Sequence, residues 1–360
     1  MGAPNRDWIR PALAAYDAGY IAQAPRRAGT GVEPQPAADV ITIRTIAAAL
    51  GALAIAAAAT AAITEYGAPG DAPYDAAVDG AGRVYFTEMT AARIGRFDPR
   101  SQTLAEFRVP TAGSGPHGIV VAPDGTVVFT ETTANKIGCF DPARSVFHEY
   151  PSGNALAPHT PVLAGDGEVY FTAPGSDAIG RLDFASGTVA TFAVPTPNAA
   201  PYGIKLGPDR ALYFTEVGAS KIGRFDLESH LISEFATPNA ASVPHRLWIW
   251  SDYVYFTEFG AGMLGRFDIR GHTFREWPSP GGRASRPGGI AIDRNGQVWY
   301  AESAGASGLS IVHFDPARET FAAAIPIRSR GAAVGDMALA PGGSIWMALG
   351  GADRIAELLP

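Results

Sequence analysis

Apolar residues in this chain come in short alternating runs separated by Gly, Pro, Asp and Asn, and no helical spacing is sustained beyond residue 62. The stretch Pro201–Asp226 shows the unit in full. Ile204–Leu206 is a short apolar strand, Pro208-Asp-Arg210 a turn, and Leu212–Thr215 a strand of aromatic and β-branched residues. A Gly-Ala-Ser turn leads to Lys221–Asp226, and a fourth strand is expected at Ile232–Ala236. These four strands are termed A to D.

Copies of the unit recur from about residue 73 to the end, fixed by two landmarks. One is Pro followed by an aromatic or His: Pro73-Tyr74, Pro116-His117, Pro158-His159, Pro201-Tyr202 and Pro244-His245, then Pro287-Gly288 and Val334-Gly335. The spacing is 42 or 43 residues up to the sixth copy and 47 to the seventh. The other is Thr-Glu at the end of strand B, giving Glu88, Glu131, Glu216 and Glu258, with Ala173, Glu302 and Leu349 at the corresponding places. A period in the low forties built from short strands predicts an all-β fold, a seven-bladed β-propeller of four-stranded antiparallel blades over residues 62–360. The seventh copy ends at strand C, Arg354–Leu358, while Ile63–Tyr66 matches the other D strands. The ring is therefore expected to close by an N-terminal strand on the last blade. Because a meander alternates direction, the start of A and the end of B of every blade are brought to one mouth near the axis.

Upstream, residues 1–44 are rich in Pro, Ala and Gly and are expected to be a disordered tail. Residues 45–63 form a weakly apolar, alanine-dominated run, read as a signal-peptide core or a membrane anchor, with a buried Ala-rich helix as the alternative. Arg26, Arg27 and Arg44 precede the run and Glu65 and Asp71 follow it. The charge asymmetry places residues 64–360 outside the cytoplasm, periplasmic or secreted, with membrane contact only through residues 45–63 if uncleaved.

The 28 basic and 35 acidic residues give a net charge of −7, and no Lys/Arg cluster occurs, so nucleic acid is not an expected partner. A monomer that binds a small molecule or peptide at the mouth is expected instead. The single cysteine, Cys139, stands where other copies carry the Arg of Ile-Gly-Arg-Phe and is read as a strand residue. The strand C glycines Gly95, Gly138, Gly180, Gly223 and Gly265 are read as bulges or close-approach sites.

Phe-Thr-Glu-Thr-Thr-Ala-Asn-Lys-Ile-Gly and Tyr-Phe-Thr-Glu-Val-Gly-Ala-Ser-Lys-Ile-Gly-Arg, preceded by Pro-His-Gly-Ile and Pro-Tyr-Gly-Ile, resemble the repeats of the virginiamycin B lyase (streptogramin lyase) family. The resemblance covers residues 62–360. It implies a carbon–oxygen lyase that opens the lactone ring of type B streptogramins without water, using a His base, a second His on the substrate, and magnesium held with the help of two Glu. The family positions for these groups fall on Gly288, Ala333, Gly335 and Gly350, so the inherited site lacks its base and carboxylates.

Other residues could carry the chemistry if the site has moved by whole blades. His117, Glu131 and His159 in blades two and three form a candidate base-and-metal set, with Glu131 as the magnesium ligand. Tyr74, Tyr202, His245, Glu258 and Trp248 are candidate ligand-binding residues. The competing reading makes the His and Tyr rings architectural caps packed between blades, with the Glu ring accepting loop N–H groups. Asp75, Arg246 and Asp336 replace small residues after the mouth position and give it a mixed-charge lining. Three functions stay open: a binding propeller without lyase activity, a magnesium-dependent lyase with a relocated site, and a protein-interaction platform.

Overall fold

The computed structural model describes residues 61–68, 72–164, 168–184, 186–303 and 308–360. The expected tail, and all of the apolar run before Ala61, lie outside the described residues. What is described is all β: seven antiparallel sheets, each a meander, arranged as the blades of a propeller.

Blade four is representative, with A at Pro201–Leu206, B at Ala211–Glu216, C at Lys221–Asp226 and D at Ile232–Ala236. In strand C the glycine lies directly opposite the strand B phenylalanine, as in Phe214 opposite Gly223. A Cβ on Gly223 would come within 2.1 Å of the Phe214 ring, and Gly95, Gly138, Gly180 and Gly265 meet their own Phe in the same way. These are close-approach glycines, and the B–C register runs through them without a bulge. The ring that fills the gap is fully buried, each such side chain contributing about 1.5–3 kcal/mol relative to exposure.

The bulge lies in strand A. Pro201 faces Glu216, but the next pair is Ile204 with Phe214, so one extra residue is inserted just after the Pro-aromatic landmark. The same shift occurs at Pro73, Pro116, Pro244 and Val334. One threonine ties this bulge down. Thr215 accepts from Gly203 N–H at 2.9 Å in its own blade and donates to the His245 carbonyl of the next blade at 2.8 Å. Thr87, Thr130, Thr172 and Thr257 repeat the donation, to the carbonyls of His117, His159, Tyr202 and Gly288. The two sequence landmarks are thus halves of one inter-blade hydrogen-bond unit.

Closure follows the expected scheme. Ala62–Gly67 pairs antiparallel with Arg354–Leu359 and supplies strand D of blade seven. Glu65 also takes over a D-strand duty. Glu149 accepts from the backbone and hydroxyl of Thr111 in the loop entering blade two, and Glu234 does the same for Thr196 entering blade four. Glu65 accepts from Arg328 and Ser329 in the loop entering blade seven.

Candidate functional site

At the start of the A strands of blades one to five the residue after proline lies against its counterpart in the next blade. Tyr74 meets His117 with ring centroids 3.9 Å apart, His117 meets His159 at 4.0 Å, His159 meets Tyr202 at 3.7 Å, and Tyr202 meets His245 at 4.5 Å. The hydroxyls of Tyr74 and Tyr202 hydrogen-bond at 3.2 Å, closing the arc across the axis. All five rings are at most 3% exposed. Burial, reinforced by nearby His117 and Arg246, holds the imidazole of His159 far below its ordinary pKa, and burial does the same to His245, so both are neutral.

Beneath the rings lies a buried charged tier. Arg246 reaches across the axis, donating to the Thr160 hydroxyl at 3.0 Å and standing 3.9 Å from Asp336. Burial opposes its charge, but Asp336 and Asp75 keep it protonated. Asp75 is pushed up to about 7 by burial, against the pull of Arg246. Further along strand A, Lys205 sits 3.7 Å from Asp336 and 4.9 Å over the half-buried Trp248 ring. Asp75, Arg246 and Asp336 were expected to line the mouth, but they are buried beneath the rings because the residue after each ring turns to the axis; the parts of Thr160 and Lys205 were not legible, since each is an ordinary strand residue until the blades are assembled.

The carboxylates go elsewhere. Glu131, Glu216 and Glu258 are buried, and burial first, then a strand D glutamate of the same blade (Glu149, Glu234 or Glu276), pushes them up to about 7, 8 and 8. The structure therefore brings His117 and His159 together and turns Glu131 toward Ser114, Lys136 and Glu149. The loop N–H groups expected at the strand B glutamates are taken mainly by strand D: Glu149 and Glu234 accept from the loops, and Glu302, accepting from Gly281 N–H, is the strand B exception. Among the described residues no group of three or more His, Cys, Asp or Glu is placed to hold a metal ion. Magnesium favours several oxygen donors in an octahedron, and the set His117, Glu131 and His159 does not converge to offer them.

The virginiamycin B lyase family profile matches residues 46–309. The chain belongs to the virginiamycin B lyase family. Among solved structures, a streptogramin B lyase is 27% identical, with 83% of this chain and 97% of that chain covered and a TM-score of 0.75. Virginiamycin B lyase from Staphylococcus aureus is 27% identical, covering 83% and 99% of the two chains with a TM-score of 0.76. A catalytically inactive His-to-Ala variant of the Staphylococcus aureus enzyme with quinupristin is 26% identical, with the same coverage and a TM-score of 0.74. No curated protein matches.

Ala333, Gly335 and Gly350, the positions to which the sequence resemblance assigns the family's functional groups, lie close together in blade seven. Ala333 and Gly350 are cross-strand partners in blade seven, and Gly335 follows two residues after Ala333. Gly335 is also a tight fit: a Cβ there would come within 2.3 Å of the Tyr74 carbonyl oxygen. In the ladder, Ala301 and Ala348 stand where blades one to five have threonine.

Of the remaining candidates, Trp248 packs between blades five, six and seven. Cys139 is buried in strand C of blade two, its thiol pushed up to about 12 by burial, as suits a strand residue. Above the ring arc, the residues that follow Thr-Glu form the floor of the loop mouth. Met89 packs on Tyr74, Val217 on Tyr202, and Phe259 lies 5.3 Å from the His245 ring, with the Arg286 guanidinium 5.6 Å over the Phe259 ring.

Proposed function

We propose that this member of the virginiamycin B lyase family is a binding propeller outside the cytoplasm, one that takes a small molecule or peptide on its loop mouth and does not open lactones. One observation carries the reading: Ala333, Gly335 and Gly350, the positions the resemblance assigns to the family's base and carboxylates, come together in blade seven and offer neither. The five-ring arc supports a rigid floor, with Met89, Val217 and Phe259 as apolar contacts and Arg286 as a cation beside them. Export is supported by the basic residues before, and the acidic residues after, the apolar run at residues 45–63.

A relocated lyase is the second reading, favoured by the His117–His159 contact alone. The experiment that separates them uses the full chain with quinupristin and magnesium. Elimination leaves the mass unchanged, so cyclic and linear forms are resolved by chromatography. The expected result is intact cyclic compound, with any saturable heat of binding lost in Phe259→Ala. Magnesium-dependent linearisation abolished by His117→Ala would overturn the proposal in favour of the relocated site.

A further inference from the structure

The axial tier has donors that the protein itself does not use. Arg246 is wholly buried, yet only one nitrogen, Nη1, has a hydrogen-bond partner; Nε and Nη2 are buried without an acceptor among the described residues. A charged guanidinium donor left unmade in the interior carries its full desolvation penalty without compensation. The nearby carboxylates do not relieve it. Asp336 is 3.9 Å from Arg246 and 3.7 Å from Lys205, beyond hydrogen-bond length for either. One oxygen of Asp336 accepts from the Met337 N–H and one of Asp75 from the Ala76 N–H, each at 2.9 Å, so both aspartates also serve their own strand A bulges.

The charges leave room for an anion. Asp75 is shifted by burial to about 7, so near neutrality it is only partly ionised. Two cations then face less than two full negative charges. Access is graded along the axis: the Arg246 side chain is 0% exposed, that of Asp336 7% and that of Lys205 31%. The five buried rings seal the mouth end, so the graded opening is on the opposite face, past Lys205 and Trp248.

We propose that the propeller axis holds a small-anion site, in which Arg246 and Lys205 clasp a carboxylate or inorganic oxyanion admitted from the face opposite the loop mouth. Trp248, stacked under Lys205, forms the wall of the entrance. Arg246 would bind through its spare Nε and Nη2, whose side-by-side donors suit two oxygens of one anion. The site is independent of the mouth reading, since it shares no side chain with Met89, Val217, Phe259 or Arg286.

The test titrates the full chain with acetate and, separately, inorganic phosphate, read by calorimetry and by tryptophan fluorescence. Saturable binding of one anion per chain is expected, weakened about tenfold or more in Lys205→Gln, with the fluorescence change absent in Trp248→Phe. Preference between the two probes distinguishes a carboxylate from a phosphate ligand. Because Arg246→Gln could unfold the ring, Lys205→Gln, at the exposed end, carries the test. Absence of saturable binding by either probe, or binding unaffected by Lys205→Gln, would overturn the proposal.

Discussion

The hydroxyls of Tyr74 and Tyr202 meet at 3.2 Å across the propeller axis, joining blade one to blade four through a hydrogen bond between residues 128 apart in the chain. Both rings are fully buried, so removing one hydroxyl leaves the other buried without this partner. Tyr202→Phe should lower stability by about 1–3 kcal/mol. Adding Tyr74→Phe to it should cost little more, because the second hydroxyl has already lost this hydrogen bond. Denaturant unfolding of the two single variants and the double variant tests this; fully additive losses would show that the hydroxyls act separately.

The period, the blade count and the closure by Ile63–Tyr66 were legible because two landmarks repeat together, and both belong to one hydrogen-bond unit. Thr215 is bound to Gly203 and to the His245 carbonyl, so loss of either landmark strands the other. The destination of the glutamates was not legible. Neighbours on a strand point to opposite faces, so with Thr130 turned to the His159 carbonyl, Glu131 is turned away from the imidazoles and toward Glu149. Spacing along the chain placed His117, Glu131 and His159 at one end of the blades but could not say which way each side chain faced.

Thr215→Val isolates the ladder. The substitution keeps the β-branched shape, removes the donor to the His245 carbonyl and the acceptor for the Gly203 N–H, and leaves both backbone groups buried. A loss of about 2–4 kcal/mol is expected, taking roughly 1–2 kcal/mol for each group left unsatisfied. Hydrogen exchange should show the Gly203 amide deprotected first. A variant as stable as the parent would mean that apolar packing alone holds the blades together.

Glu65 tests closure. It accepts from the Arg328 and Ser329 backbones and from the Ser329 hydroxyl, the duty that Glu149 and Glu234 perform in other blades. Glu65→Ala should destabilise the ring by about 2–3 kcal/mol, within the range for a charge-assisted hydrogen bond. Deleting residues 62–67 should do far more, because strand C of blade seven, Arg354–Leu359, becomes an unpaired edge. Thermal unfolding and gel filtration distinguish the two, the deletion being expected to associate as well as melt early.

Glu216 gives a dependence on pH with a definite sign. Burial, then the nearby Glu234 carboxylate, raises it from an ordinary 4.5 to about 8. The folded chain therefore holds a proton that the unfolded chain has released, and this contribution to stability falls as pH rises from the unfolded value toward about 8. Glu216→Gln cannot titrate there. Between about pH 5 and about pH 8 the stability of Glu216→Gln relative to the parent should rise steadily, measured by urea midpoints at each pH. A constant difference would show that Glu216 is already ionised in the fold.

Gly335 decides whether the base that the proposed function lacks could be supplied by substitution. A Cβ at this position would meet the Tyr74 carbonyl oxygen at 2.3 Å, and that carbonyl is backbone, fixed in the strand A bulge of blade one. Gly335→Ala should therefore already destabilise the junction of blades seven and one, by about 1–3 kcal/mol as for other overpacked core sites. Gly335→His combined with Ala333→Glu and Gly350→Glu should unfold before it regains any lactone-opening activity. Differential scanning calorimetry of Gly335→Ala checks the first step, and chromatography of quinupristin with the triple variant checks the second. A stable triple variant with lyase activity would mean that the backbone at Gly335 can retreat from Tyr74, and that only side chains separate this propeller from the catalytic members of its family.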